Sequence, residues 1–176
     1  MIYLLFGIIA VLLAGAAYTY WQVQNISALN QPVGETVLID EISLHYHYFE
    51  APEGQSNTPV LLFVHGASSN AHDPMLAFKD ELMGRYSLLF VDRPGLGFSE
   101  RDNATHSTPE AQARLIAQLL ETLGIRDVIA IGHSLGAAVT ADLGLAVPER
   151  VKGLIFISPA THPWPGGVKW YYSVAS

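Results

Sequence analysis

VIAIGHSLG, residues 128–136, is the stretch of sequence that decides the fold. Its last five residues match G-x-S-x-G, the pattern of a nucleophile elbow, in which a serine lies on a sharp, strained turn from a strand into a helix. Glycines on either side let neighbouring backbone pass close by, and the serine hydroxyl projects at the positive end of the next helix. The pattern is weak alone, but a buried-strand pattern precedes it and an alanine-rich helical pattern follows it. We therefore predict that Ser134 is a nucleophile, held in its turn by Gly132, His133 and Gly136.

Outward from this stretch, short apolar runs alternate with helical patterns. We predict a hairpin of strands 37–40 and 44–49, buried strands 60–64, 88–91, 128–131 and 151–157, and helices 75–83, 110–123 and 135–147. Ser107 and Glu110 fit a capping box for the second of these helices. The alternation indicates an α/β fold with a doubly wound, mostly parallel sheet. Such sheets bind ligands at the carboxyl ends of their strands, so functional residues are expected there.

The loop HGASSN, residues 65–70, follows the buried strand VLLFV. A glycine loop at this place directs a backbone N–H at a developing oxyanion, and we expect Ala67 to supply one donor and Leu135, after the nucleophile, to supply the other. We interpret His65, beside Gly66, as a structural histidine that braces the loop. A base role for His65 is the alternative, since a base must reach the proton of the serine and His65 could in principle do so.

The loop DRPGLGFS, residues 92–99, follows the strand LLFV. Its proline and two glycines predict a rigid turn. We interpret Asp92 and Arg93 as a structural pair that holds this loop beside the oxyanion site, with a catalytic role for Asp92 as the alternative.

HGASSN, DRPGLGFS and GHSLG, in this order and spacing, resemble the α/β-hydrolase fold family from Thr36 to Pro159. The resemblance implies acyl transfer from an ester, amide or related bond to water, through a Ser-His-acid triad and an oxyanion hole, with no metal and no organic cofactor. Serine rather than aspartate at position 134 favours esterases, lipases, C–C bond hydrolases and aminopeptidase-like members.

The family's triad runs in the order Ser, acid, His, and the sequence lacks two of its members. The acids after Ser134 are Asp142 and Glu149, both on or at the end of the helix that follows the elbow, and the later histidine, His162, we interpret as a loop residue. The last predicted strand is also an apolar edge without an outer neighbour. We therefore expect that the chain is truncated after its sixth strand, so that the base and its acid partner lie beyond Ser176.

Residues 160–176 would then begin a cap or lid, whose aromatic side chains either line an apolar acyl pocket or pack within the cap. We predict a serine hydrolase of small acyl substrates, with the 176-residue chain inactive by itself. The alternative is a non-catalytic binding module or pseudoenzyme that uses the same pocket. Transfer to an acceptor other than water is a third possibility that the sequence does not separate from hydrolysis.

Composition narrows these possibilities. The chain is 50% hydrophobic and 14% charged, too apolar for a disordered protein. With a net charge of −7, the chain lacks the basic surface that nucleic-acid binding requires. The absence of cysteine excludes a thiol nucleophile. His45 and His47 alternate along a predicted strand and share one face, but no third ligand is nearby in sequence. We expect a solvated strand face there, and no metal site.

The first 34 residues contain no charged side chain. Residues 2–21 form a twenty-residue apolar run that closes on aromatic side chains, enough to cross the ~30 Å hydrocarbon layer as a helix. We predict a single-pass membrane anchor at 1–21, a linker at 22–35 and the hydrolase-like domain at 36–176. The alternative is a signal peptide cleaved near Ala14-Gly15-Ala16, which would leave a secreted or periplasmic protein.

Overall fold

A computed structural model describes residues 2–29, 32–52, 54, 58–101 and 105–162, in two compact units that divide between Val33 and Gly34. The first unit contains one helix, α1 (Ile2–Leu29), which has no buried residue. The helix is long and apolar enough to cross a membrane, and a signal sequence passes the same test. It continues eight residues past the predicted anchor, so the first part of the predicted linker is helical. The assignment as an anchor stays a prediction.

The second unit is built on a six-stranded sheet with the order β1-β2-β4-β3-β5-β6. Its strands are β1 (Glu35–Ile39), β2 (Ile42–Phe49), β3 (Val60–Val64), β4 (Leu88–Val91), β5 (Val128–His133) and β6 (Val151–Ile157). Its helices are α2 (His72–Leu82), α3 (Pro109–Thr122) and α4 (Leu135–Ala146). The last four strands are parallel, and β1 and β2 join antiparallel. The predicted α/β class with a mostly parallel sheet is confirmed.

Each face of the sheet carries its own hydrophobic core. Leu62 and Val64 point into a core shared with α3 and α4, while Leu61 and Phe63 point into a second core against α2. This alternation explains the continuous apolar run of β3, since neither face meets water. The ring of Phe63 stacks on its neighbours from β4 and α2, at centroid distances of 4.6 and 5.4 Å. The two packed faces hold the carboxyl ends of the parallel strands in fixed positions.

Two local predictions are wrong in detail. The hairpin turn is the two-residue pair Asp40–Glu41, with φ of 51° and 64°, rather than residues 41–43. Two positive φ values match a primed hairpin turn, but glycine or asparagine, which usually signals it, is absent here. The cap of α3 is Thr108, whose Oγ1 accepts from the N–H of Ala111 at 3.2 Å, and not Ser107.

The expectation of a solvated face at His45 and His47 is also wrong. The two residues are 0% and 4% exposed. Strand β2 lies between β1 and β4 rather than at the sheet edge, and the rings of Phe98 and His72 pack against the two imidazoles at centroid distances of 5.2 Å each. The strand order and these two aromatic contacts bury a polar strand face that the local sequence pattern predicted to be exposed to solvent.

Candidate active site

The three predicted loops meet at the carboxyl edge of the sheet. A Cβ atom built on Gly66 would lie 3.3 Å from Cβ of Ser134, so the loop after β3 passes beside the predicted nucleophile. The loop after β4 joins it, because Arg93 Nη2 donates a hydrogen bond to Gly66 O at 2.7 Å. The chain after β6 closes the other side: the N–H of Ser134 donates to Ile157 O, and the N–H of Ala160 donates to Ser134 O, both at 3.0 Å. Four strand ends therefore surround Ser134.

The backbone of Ser134 has φ 52° and ψ −119°, in the left-handed half of conformational space. For a residue other than glycine this costs about 1–3 kcal/mol, which the surrounding structure must supply. The glycines on either side permit the close packing that does so. A Cβ on Gly136 would overlap the carbonyl oxygen of Val64, and a Cβ on Gly132 would lie 2.5 Å from Cα of Ala137. The turn therefore requires glycine at both positions.

Ser134 is also the N-cap residue of α4 and is partly exposed. Leu135, the first residue of that helix, has a backbone N–H with no partner inside the helix, at its positive end. Ala67 is exposed in the loop after β3, next to Gly66. The structure thus brings both predicted oxyanion donors to the loops around Ser134, while their action as a pair stays a prediction.

His65 is 1% exposed, and both of its ring nitrogens have partners within these loops. Nδ1 lies 2.9 Å from Gly66 O, and Nε2 accepts the backbone N–H of Arg93 at 3.0 Å. Burial lowers the pKa of His65 to about 4, so the ring is neutral at pH 7. With Nε2 accepting a backbone hydrogen bond, the ring has no free nitrogen to take the proton of Ser134.

Arg93 is 2% exposed and binds the loop that carries Ala67. Its Nε donates to His65 O at 3.0 Å, and Nη2 donates to the next carbonyl along the chain. Its Nη1 donates to Oε1 of Gln112, on the buried face of α3, at 3.0 Å. Burial lowers the pKa of Arg93 to about 10, which leaves the guanidinium charged at pH 7.

Asp92 is 1% exposed and has different partners. Its Oδ1 accepts the N–H of Ala71 at 2.6 Å, and Oδ2 accepts the N–H of Phe98 at 2.9 Å and lies 2.8 Å from Nδ1 of His45. The side chains of Asp92 and Arg93 therefore bind loop backbone and not each other. The two residues hold the same loop at its two ends, because consecutive side chains after a strand point in opposite directions.

Gln112 and His45 are the two residues of this network that the sequence analysis missed. Gln112 lies at helical spacing from Leu115 and Ile116, so a lone polar residue on an apolar stripe was the available signal. His45 had no local signal, since its partner Asp92 is 47 residues away in sequence.

A cavity of about 180 Å³ lies beside the elbow, between α2 and the strand ends. Its lining includes His133 and Ile157 next to the elbow, and Phe78 and Asp73 on α2. His133 is exposed, and its Nδ1 would lie 3.2 Å from a Cβ built on Gly66. The free space on the α2 side of the sheet therefore adjoins His133, the residue before Ser134.

No histidine or carboxylate among the described residues is hydrogen-bonded to the hydroxyl of Ser134. Asp142 lines a groove between α3 and α4, and His162 is exposed with its Nδ1 3.0 Å from Oγ1 of Thr161. The predicted cap, residues 160–176, lies mostly outside the described residues. The described part of the chain also contains no group of three side chains arranged to hold a metal ion.

Family comparison agrees with this architecture. The family described as alpha/beta hydrolase fold matches residues 59–175, more than half of the chain. The chain belongs to the α/β-hydrolase fold family, and the resemblance drawn from its three loops is confirmed.

Several of the relatives are hydrolases by name. The 2-hydroxy-6-oxononadienedioate/2-hydroxy-6-oxononatrienedioate hydrolase of Burkholderia vietnamiensis is 30% identical over 131 residues, which cover 71% of this chain and 43% of that protein. The (lyso)-N-acylphosphatidylethanolamine lipase of Mus musculus is 34% identical and covers 64% of this chain and 33% of that protein. The solved structure of a membrane phospholipase A is 26% identical, with a TM-score of 0.65 over 91% of this chain and 53% of that one. The chain spans less than half the length of these two relatives known by sequence.

Proposed function

We propose that the protein is a serine hydrolase that cleaves an ester, amide or related acyl bond, with Ser134 as its nucleophile. The observation that carries the proposal is the strained backbone of Ser134, with φ 52°, at the positive end of α4. Strain of this kind persists where surrounding contacts impose it, and it clusters at catalytic sites. Family membership supports the same reaction class.

In the proposed reaction, Oγ of Ser134 attacks the carbonyl carbon while a base removes the hydroxyl proton. The carbonyl π electrons move to oxygen, and the oxyanion accepts hydrogen bonds from the N–H groups of Leu135 and Ala67. Collapse of this intermediate breaks the acyl bond as the leaving group takes the proton. Water then releases the acyl group from Ser134 by the same two steps. The proposal requires a base and its acid partner in addition to these residues, which in the family follow the nucleophile in the order acid, then histidine.

Among acyl substrates we favour an apolar ester at a membrane surface. The apolar helix α1, with no buried residue, supports this choice, because as a membrane anchor it would hold the enzyme at a bilayer. Two of the similar proteins, a lipase and a membrane phospholipase A, carry lipid substrates in their names. Vesicles of phosphatidylcholine should be hydrolysed faster than a water-soluble short-chain ester at equal ester concentration. A preference for the soluble ester that persists with α1 intact would contradict the lipid assignment.

The rival is a binding module with the same loops and no turnover. Reaction with a fluorophosphonate separates the two, because the reagent forms a covalent bond only with an activated serine. We expect the full-length protein to be labelled, with labelling abolished in Ser134→Ala. Ser158→Ala is the matched control, since Ser158 is an exposed serine at the end of β6 that also has a positive φ of 45°. A folded full-length protein that stays unlabelled, or labelling that survives in Ser134→Ala, would refute the proposal.

A further inference from the structure

His45 contacts the chain after β4 through both its backbone and its ring. Its N–H donates to Oγ of Ser99 at 2.9 Å, and its carbonyl accepts the N–H of Asp92 at 3.0 Å. Its Nδ1 lies 2.8 Å from Oδ2 of Asp92, and both side chains are 1% exposed. Because a carboxylate only accepts hydrogen bonds, Nδ1 carries the proton in this contact.

The Asp92 carboxylate connects His45 to the loop beside Ser134. Its second oxygen, Oδ1, accepts the N–H of Ala71, the last residue of the segment 65–71. The guanidinium of Arg93 holds the first two carbonyls of the same segment. The segment is therefore fixed at both ends, and the position of the Asp92 carboxylate determines the position of Ala71 at its second end.

The ring of His45 is enclosed on its other sides. A Cβ built on Gly34 would lie 2.8 Å from Nε2, and the rings of His47 and Phe98 lie edge-on at 4.9 and 5.2 Å. Nε2 is buried and has no hydrogen-bond partner among the described residues. The hydrogen bond to Asp92 is thus the one polar contact of this ring, and the packing prevents the ring from turning away from it.

We propose that His45 is a positioning residue for the oxyanion loop: its Nδ1–H holds the Asp92 carboxylate in the orientation that fixes Ala71, and through it the backbone N–H of Ala67. The inference rests on the proposed function, since it assumes that this N–H stabilises an oxyanion. It adds a contribution from β2, an antiparallel strand that supplies none of the loops at the site. Loss of the contact should slow acylation of Ser134 with little effect on substrate binding.

Two amide substitutions at His45 test this geometry. His45→Asn places an amide NH₂ where Nδ1 lies, whereas His45→Gln places it near Nε2, away from Asp92. We expect His45→Gln to lower kcat by about tenfold at an unchanged KM, less than the 10²–10³-fold typical of removing an oxyanion donor outright. His45→Asn, which keeps a donor to Asp92, should have a kcat within a few-fold of that of the wild type. Tyr46→Phe is the matched control, since Tyr46 is buried on the same strand, packs into the opposite core and donates its hydroxyl to Glu35 Oε2, and it should leave kcat unchanged.

The outcomes separate the inference from the proposed function. Equal kcat in His45→Gln and His45→Asn, with an active wild type, would overturn the positioning role and leave Ser134 as the nucleophile. A wild type that fluorophosphonate does not label would overturn both. If the variants fail to fold, ¹⁵N NMR of the wild type decides: a protonated Nδ1 and an unprotonated Nε2 of His45 at pH 7 support the contact, and the opposite tautomer refutes it.

Discussion

Replacing Arg93 by methionine should strongly destabilise the hydrolase unit, because Arg93 is buried and holds three oxygen acceptors. The substitution keeps most of the side-chain volume but removes the donors to His65 O, Gly66 O and Oε1 of Gln112, at 3.0, 2.7 and 3.0 Å. A hydrogen bond from a charged donor contributes about 1.5–3 kcal/mol, so the gross loss is roughly 6 kcal/mol. Removing a buried guanidinium also removes its desolvation cost, which offsets part of this loss. We expect a net loss near ~3 kcal/mol in the free energy of unfolding, or roughly 10 °C in Tm.

The assay is urea unfolding of the full-length protein in a mild detergent, followed by tryptophan fluorescence and far-UV circular dichroism. Arg101→Met is the matched control, because Arg101 is an exposed arginine close by in the chain that, among the described residues, donates one hydrogen bond, to Gly95 O at 3.2 Å. It should change the free energy of unfolding by less than ~0.5 kcal/mol. Arg93→Lys should fall between the two, since an ammonium cannot reach three acceptors in a fork. If Arg93→Met matches Arg101→Met, the hydrogen bonds of the guanidinium do not hold the loop and the reasoning is refuted.

Two further predictions concern strain and pH. Ser134→Gly should be more stable to urea than Ser134→Ala, with a free energy of unfolding higher by about 1 kcal/mol, because glycine adopts φ 52° without strain. Equal free energies of unfolding in the two variants would mean that the turn is not strained. Burial lowers the pKa of His47 and of His65 from 6.5 to about 4. The unfolded chain therefore binds more protons between pH 6.5 and 4, and the free energy of unfolding should fall as the pH falls through that window. His47→Asn should lessen this fall, and an unchanged pH dependence in that variant would show that His47 does not contribute.

The strands at 60–64, 88–91 and 151–157 could be predicted to the residue because continuous apolar runs bounded by polar loops allow few alternatives. The elbow could be predicted because its pattern joins a strand to a helix and its glycines leave a local signature. The boundaries of α2, α3 and the hairpin were shifted by one to three residues. Thr108 rather than the neighbouring Ser107 caps α3, α2 begins without a side-chain cap, and the primed turn of the hairpin lacks glycine.

Contacts between distant parts of the chain could not be predicted. The separate partners of Asp92 and Arg93, the burial of His45 and the role of Gln112 all depend on which elements become neighbours. Strand β2 pairs with β4 although β3 and α2 lie between them in the chain, and local patterns allow other strand orders equally well. Hydrophobic periodicity describes which face of an element is buried, but not which element covers it.

Ser134 shows the same division. Its neighbouring sequence by itself determined that a serine lies between a buried strand and a helix, since the signal is contained in nine consecutive residues. Only the tertiary structure decided that the turn is strained, that a Cβ built on Gly66 would lie 3.3 Å from Cβ of Ser134, and that Ile157 and Ala160 bind its backbone. The physical reason is that the positive φ of Ser134 is imposed by packing of β3, β6 and α4 around it, and such packing exists only after the sheet has formed.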